Sequence, residues 1–474
     1  MKPSLLRFLV ALAVSAIASV AEAATPPNVI LILADDLGWA DLGVYGSDLH
    51  ETPHIDRLAR DGMRFTQAYS ACTVCSPTRG AVLTGLYPAR TRVTDWIPGR
   101  LPSNPKLAIP AWTKHLPTET TTLAERFKTA GYVTASIGKW HLGQKAYYPE
   151  KHGFDLNIAG TSEGSPADGY FAPYKIPTLP EGPDREYLTD RIGTEAVRFV
   201  EATRERPFFL YLPHFAVHTP IQAPPALVGK YKAKVRPGLR HTHATYAAMM
   251  ESLDASIGRL RAKLTELGLA ENTIIVFASD NGGHLPTTSN APLRSGKGSA
   301  YEGGVRVPLI ILWPGVTAPG GVSDMPTIST DFFPTLLEIA GLPVAPGEGA
   351  DGVSLVPALR GQSRPAREAI YWHYPHYQLY QRGGTTPYGA IHAGDYKLIE
   401  YYDDMRVELY HLGDDIGETH DLAAAKPEMA EKLRAQLHAW RASTGAQMPT
   451  PNPAYDPSKP EAVKGERRPK EPIE

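Results

Sequence analysis

Asn28-Val29-Ile30-Leu31-Ile32-Leu33-Ala34, followed at once by Asp35-Asp36-Leu37-Gly38, is the segment on which the fold turns. A short apolar, β-branched run that ends abruptly in polar residues predicts a strand whose end is a place for chemistry. The same pattern recurs at Tyr132 to Ile137, Pro207 to Leu212, Thr273 to Ala278 and Val307 to Leu312, with helical stretches between. Such alternation predicts βα units, hence an α/β fold with a large, mostly parallel central sheet flanked by helices. The clearest helix carries Tyr246, Met249, Met250, Leu253, Ile257, Leu260, Leu264 and Leu267 at three- and four-residue spacing and stops at Gly268. Its stripe reads as core.

Beyond about Pro346 the texture changes. Tyr396 to Tyr402 and Val407 to Leu412 predict a hairpin around Asp403 and Asp404, and Met429, Leu433, Leu437 and Trp440 mark a closing amphipathic helix. A small C-terminal antiparallel α+β subdomain is expected there. From Met448 to Glu474 the chain is rich in Pro, Lys and Glu, which predicts a mobile tail or a surface strap. The expected divisions are residues 1–23, 24–346, 347–447 and 448–474.

The first of these divisions sets the compartment. Lys2 and Arg7 flank the start of an apolar run from Phe8 to Val20, and Ala21-Glu22-Ala23 supplies small residues for cleavage, so a signal peptide over 1–23 is expected. The mature chain is then periplasmic or secreted, with no membrane anchor after cleavage. Composition narrows the classes further. At 474 residues the chain is too long for one small core, and 48 Lys+Arg against 50 Asp+Glu gives no basic tract for nucleic acid. Two cysteines exclude a disulfide scaffold, while 42 Gly and 44 Pro predict long ordered loops of the kind that carry sites.

Ligands in open parallel sheets bind at the carboxyl ends of strands. Four predicted strands end in capable groups: Asp35 and Asp36, Lys139 and His141, His218, and Asp280 with Asn281. Any one alone reads as a polar turn, but four at one sheet edge read as a site. Asp35, Asp36, Asp280 and Asn281 offer oxygen only, which suits Ca²⁺ or Mg²⁺, and three carboxylates with an amide favour Ca²⁺. The segment Cys75-Ser76-Pro77-Thr78-Arg79-Gly80-Ala81-Val82-Leu83-Thr84-Gly85 places Cys75 at a helix N-terminus, where an anion is favoured and Arg79 can reach it. On these grounds Cys75 is a nucleophile of lowered pKa, half of a Cys72/Cys75 redox pair, or a buried small residue. A thioredoxin-like context is missing for the redox alternative.

Together these segments resemble the formylglycine-dependent sulfatase family of the alkaline phosphatase superfamily. Cys75 to Arg79 with Leu83-Thr84-Gly85 resembles its signature, and Ala34 to Gly38, Gly138 to Gly143, Ser279 to Gly283, Gly296-Lys297 and Glu302-Gly303-Gly304 fall in family order. The resemblance spans about residues 27 to 445. Thr78 replaces the usual serine, which could lower conversion efficiency, and Leu86 takes a place often held by a basic or polar residue, which could alter local support.

The resemblance implies a sulfuric ester hydrolase in which a modifying enzyme converts Cys75 to formylglycine (3-oxoalanine), and in which Asp35, Asp36, Asp280, Asn281 and the modified Cys75 bind one Ca²⁺. It implies further that a gem-diol oxygen at Cys75 attacks sulfur and that Asp280 accepts its proton. Arg79, Lys139 and Lys297 would then surround the sulfate, His218 protonate the leaving alcohol, and His141 take the second diol proton. His284 reads equally as a substrate contact or a structural residue. Gly153-Phe154-Asp155 through Gly164, Pro166, Tyr170-Phe171, Thr94-Asp95-Trp96 and Trp372-His373-Tyr374-Pro375-His376-Tyr377 resemble loops of sulfatases acting on galactose or N-acetylgalactosamine sulfates, and they also suit core packing. Two alternatives stand beside this reading. One is a phosphomonoester or phosphonate hydrolase of the same superfamily, the other a sulfated-glycan binding protein whose Cys75 stays unmodified.

Overall fold

The structure, a computed structural model, describes residues 26–345, 348, 351–362, 367–378 and 385–459. The expected signal peptide, the Pro346 boundary and residues 460–474 lie outside the described residues. Nine strands form one sheet: β1 (Asn28–Ala34), β2 (Met63–Tyr69), β3 (Val133–Ile137), β4 (Leu156–Ile158), β5 (Phe208–Pro213), β6 (Thr273–Ser279), β7 (Arg306–Leu312), β8 (Gly321–Ser323) and β9 (Thr327–Ile328). Their order is β9-β2-β7-β6-β1-β5-β3-β4, with β8 also on β2. All seven residues of β1 are buried. Val29, Leu31 and Leu33 enter one apolar cluster while Ile30, Ile32 and Ala34 enter another, so both faces are covered.

β1 runs parallel to β5 and β6, and β3 runs parallel to β5 and β4. The strand expected at Val307 to Leu312 exists, but it is antiparallel to β6 and β2. The cause lies in the connection. Between β6 and β7 the described chain contains only the four-residue helix Glu302–Val305. With no long crossover helix, the chain re-enters the sheet from the edge where β6 ended, and a return from that edge must run antiparallel. β2 was also not legible, since Met63-Arg64-Phe65-Thr66-Gln67-Ala68-Tyr69 lacks a continuous apolar run.

Helix α1 (Cys75–Thr84) is buried along its whole length. Helix α2 (Ala244–Glu266) buries the predicted stripe of Tyr246, Met249, Met250, Leu253, Ile257, Leu260 and Leu264 against the sheet and ends just before Gly268. The C-terminal part forms a second, antiparallel sheet of β10 (Ile370–Tyr374), β11 (Tyr388–Ala393), β12 (Tyr396–Tyr401) and β13 (Val407–His411) in sequential order. The β12–β13 hairpin matches expectation, while β10 and β11 were not anticipated. Leu433 and Leu437 of α3 (Pro427–Thr444) cover one face with Ile391, Leu398 and Leu409. The opposite face packs Trp372, Tyr374 and Tyr388 on Tyr69, Cys72, Val74 and Ala81, at the root of α1.

That packing reassigns part of the aromatic segment read as a sugar-binding surface. Trp372 is 2% exposed, and its Nε1 donates to the Ser70 carbonyl at 2.8 Å. Trp372→Ala is therefore expected to cost about 3–5 kcal/mol of stability through the cavity it leaves. Denaturant titration checks this, and an unchanged midpoint with weakened sugar binding would restore the ligand-platform reading. The segment after Met448 acts as a strap as far as it is described. Thr450–Pro451 pairs with Leu107–Ala108, and Asn104 Nδ2 donates to the carbonyls of Asp456 and Lys459 at 2.8 and 3.2 Å.

Candidate active site

Because β1, β3, β5 and β6 are parallel, their carboxyl ends share one edge. Ala34 pairs with Ser279 and Leu33 with Pro213, which brings Asp35, Asp36, Asp280 and Asn281 together with the chain leading to His218. At the end of β3, Gly138 has φ +127°, and a Cβ there would lie 2.0 Å from the Pro213 carbonyl oxygen, so only glycine lets the chain turn Lys139 inward. Cys75 is the first residue of α1, as its spacing from Pro77 predicts. Asp36 and His141 both adopt left-handed backbone (φ 59° and 58°), a strain that the surrounding packing must sustain.

Three buried carboxylates face three buried cations. Lys139 Nζ donates to Asp35 Oδ2 at 2.5 Å, and Lys297 Nζ lies 2.6 Å from Asp36 Oδ1. Arg79 donates through Nε and Nη2 to Asp280 Oδ2 at 3.0 and 2.8 Å, and through Nη1 to the Lys139 carbonyl at 2.9 Å. Desolvation and the neighbouring Asp280 push the Asp35 carboxyl up to about 7. Burial would raise Asp36 as well, but the Lys297 ammonium, together with His218, His284 and Lys139, outweighs it and holds that carboxyl below the ordinary range. Cys75 Sγ lies 3.7 Å from Asp35 Oδ1 and 3.6 Å from Lys297 Nζ.

Burial pushes the Cys75 thiol up to about 12, so of the three readings of this residue the thiol of lowered pKa does not hold and the buried small residue does. The helix N-terminus and two lysines do not offset the loss of water. Cys72 and Cys75 are both free, and Cys72 is packed among the residues under β10. Thr78 Oγ1 accepts from the Cys72 N–H at 3.1 Å, a bond that the serine it replaces could also make. Leu86 is half-buried beyond the C-terminus of α1, where its N–H donates to Thr84 Oγ1 at 3.3 Å.

The two histidines are held differently. His218 is partly open; its Nδ1 donates to the Thr219 carbonyl at 2.8 Å, and its Nε2 lies 3.6 Å from Asp36 Oδ2. Tyr170 braces this turn by donating to the carbonyls of Phe215 and His218 at 2.7 and 2.9 Å. The His141 Nε2–H donates to the Ile97 carbonyl at 2.5 Å, which leaves Nδ1 as a buried acceptor without a partner among the described residues. Burial holds both imidazoles well below their ordinary value, and so neutral; Lys139 adds to this at His141 and Lys297 at His218. His284 stands beside this group, bonded within its own turn to Thr287.

Thr94-Asp95-Trp96 and His376 do meet. Asp95 accepts from Tyr374 OH at 2.7 Å, and His376 Nε2 lies 2.9 Å from Thr94 Oγ1. The following Ile97 N–H donates to Ser76 Oγ beside Cys75 at 3.1 Å. Phe154, by contrast, is core, and Asp155 binds Thr134 and Lys128. One buried carboxylate that the motifs do not single out is Asp41, which bridges the loops after β1 and β6. Its only sequence signal is its place five residues after Asp36.

A divalent cation fits this donor set. Ligand atoms of Asp35, Asp36, Cys75 and His218 lie within 4.8 Å of one another. Asn281 Nδ2 donates to Asp36 Oδ1 at 2.8 Å, whereas Asn281 Oδ1 is buried with no partner among the described residues. An orphaned buried oxygen beside two carboxylates is what a hard cation would satisfy.

A sequence model of the family described as "Sulfatase" matches residues 27–342, and one described as "N-sulphoglucosamine sulphohydrolase, C-terminal" matches residues 296–443. The chain is 36% identical over 498 residues to a sulfatase of Formosa agariphila, covering 88% of this chain and 89% of that one. It is 33% identical over 456 residues to the N-acetylgalactosamine-6-sulfatase of Homo sapiens, covering 86% and 84%. Among solved structures, Ps i-CgsB in complex with k-i-k-neocarrahexaose superposes with a TM-score of 0.75 at 30% identity, covering 92% of this chain and 96% of that one. With the strand-end site in place and two thirds of its length matched, the chain belongs to the sulfatase family and is a sulfuric ester hydrolase.

Proposed function

We propose that the chain hydrolyses O-sulfate esters of carbohydrates, galactose or N-acetylgalactosamine sulfates in particular, using formylglycine formed at Cys75 by a modifying enzyme and one Ca²⁺. The observation that carries this reading is the matched set of three cations and three carboxylates around Cys75. Hydrated formylglycine would supply a hydroxyl nucleophile, whose pKa a Ca²⁺ held by Asp35, Asp36, Asp280 and Asn281 would lower. Arg79, Lys139 and Lys297 then turn N–H donors toward the sulfate oxygens, whose charge redistributes as the S–O ester bond breaks and its electron pair leaves with the alcohol oxygen. Asp280 accepts the proton of the attacking hydroxyl.

His218, with Nδ1–H fixed on the Thr219 carbonyl, carries the proton for the leaving alcohol on Nε2. An anionic ester beside it favours the protonated ring that burial alone disfavours. His141, neutral and with Nδ1 free, accepts the proton of the second hydroxyl. We also propose that residues 24–346 carry the chemistry and that 347–447 shape the sugar side, since the C-terminal sheet places Tyr374 and His376 on the Asp95 loop. The similarity to an N-acetylgalactosamine-6-sulfatase and to a structure in complex with k-i-k-neocarrahexaose supports a sugar.

Among the described residues no helix is long and apolar enough to cross a membrane. An exported protein, periplasmic or secreted, accords with the expected signal peptide. The test combines two measurements on protein from its native host: the mass of the Cys75 peptide, and release of sulfate from sulfated galactosides against phosphate from phosphate esters. A loss of about 18 Da, as for a thiol replaced by an aldehyde, with preferred sulfate release is expected. An intact thiol with binding but no turnover would leave a glycan-binding protein, and preferred phosphate release a phosphatase.

A further inference from the structure

Asp41 is fully buried, and among the described residues no lysine or arginine forms an ion pair with it. Its Oδ2 accepts from the Gly38 N–H at 2.7 Å and from Tyr246 OH at 2.6 Å, and its Oδ1 accepts from Thr288 Oγ1. One carboxylate thus ties the loop after β1, the loop after β6 and helix α2. The two loops also touch directly. Asn290 bonds both the N–H and the carbonyl of Gly283, and a Cβ on Gly38 would lie 2.6 Å from Asn290 Oδ1.

A buried carboxylate needs a compensating charge. Two imidazoles stand close enough, with ring centroids 4.6 Å apart, which is too near for both to be charged. His50 Nδ1 lies 2.9 Å from the Asp41 carbonyl, and desolvation lowers its basicity, so it stays neutral. His241 is 1% exposed at its side chain and stands between two carboxylates: Nδ1 lies 2.7 Å from Asp48 Oδ1, and Nε2 lies 3.3 Å from Asp41 Oδ1. We propose that His241 is a positioning residue: as an imidazolium clamped between Asp41 and Asp48, it fixes Asp41 and, through it, the two loops that present Asp35, Asp36, Asp280 and Asn281. This rests on the reading that those four groups line a cation site.

The sign of the pH dependence follows. Burial alone would lower the basicity of His241, but Asp41 and Asp48 more than offset it and raise it. The charge is complete below the ordinary imidazole value and is lost as pH rises through the raised one. Facing His241 are Asp41, Asp48 and His50, with Arg240 on Asp48 and Tyr246 on Asp41. Deprotonation leaves one N–H for two carboxylates; Nδ1, the nearer to its carboxylate, keeps it and a lone pair then faces Asp41, so Ca²⁺ affinity should fall at high pH, opposite to the usual rise as ligands lose protons.

The experiment uses the full chain and its His241→Gln variant. Imidazole-¹⁵N spectra should show His241 doubly protonated at pH 7.5, its signals assigned by their loss in the variant. Hydrogen exchange at the Gly38 amide should speed up about tenfold in His241→Gln, and calcium affinity should fall about tenfold. On an Asp41→Asn background the His241→Gln change should cost nothing more, because the partner charge is already gone. A neutral His241 at pH 7.5 in the wild-type chain overturns the proposal without any variant having to fold. So does stoichiometric zinc lost in His241→Gln, which would make the trio a metal site. If calcium fails to bind the wild type, the cation reading of the active site fails, while the spectra and the exchange rates still decide the role of His241.

Discussion

Cys75→Ala lowers sulfate ester turnover more than about ten-thousandfold and leaves the melting temperature within about 2 °C of wild type. The two halves of this result have separate causes. The side chain is small, and its polar contacts, to Lys297 at 3.6 Å and Asp35 at 3.7 Å, are long, so its removal opens a cavity of one sulfur atom. Such a loss costs about 1 kcal/mol. On the proposed mechanism turnover depends on that position for its nucleophile, because the neighbouring Ser76 hydroxyl is committed to the His141 carbonyl and the Ile97 N–H. Sulfate release and a thermal melt on one preparation check both halves. Turnover within tenfold of wild type would refute the nucleophile.

Asp280→Ala has the opposite profile, with activity, bound calcium and stability falling together. Asp280 Oδ2 receives two N–H groups of Arg79, and Oδ1 receives the Asp36 N–H at 3.2 Å. Truncation strands a buried guanidinium whose remaining carboxylate, Asp35, stands 3.5 Å away and already pairs with Lys139. Breaking one partner of a buried pair costs about 3–5 kcal/mol. Asp280→Asn keeps the shape and so separates charge from packing: calcium content should drop as in the alanine variant, with a smaller loss of stability. Calcium content after dialysis and denaturant midpoints are the readouts, and full retention of metal by either variant would rule out the cage.

What the sequence disclosed, and what it hid, follows from how local each signal is. β1, β3, β5 and β6 were legible because a short apolar run ending in Asp35, Lys139, His218 or Asp280 is a property of adjacent residues. Their meeting at one edge followed from parallel pairing. The direction of β7 was not legible, since it depends on a connection that stays at the same edge. Trp372, His373 and Tyr374 are buried on both faces of β10, and aromatic residues serve a core and a sugar face equally well. The sequence left the state of the Cys75 thiol open, because a helix N-terminus speaks for a charge, whereas burial, which no motif reports, speaks against it. Asp41 and His241 lie 200 residues apart, so their pairing is visible only once α2 has docked.

The burial of α1 has a bearing on timing. Cys75 is 2% exposed, α1 is buried along its length, and the C-terminal strands, made more than 200 residues after it, pack on Cys72, Val74 and Ala81 around it. Closure of that region waits for contacts distant along the chain, and such contacts form slowly. On the proposed conversion, an enzyme acting on Cys75 would work against a clock: its opportunity would open as the thiol is synthesised and shut as β10 settles over Cys72 and Val74. A chain that folds too early would be native in every fold-sensitive assay and yet never be primed for catalysis.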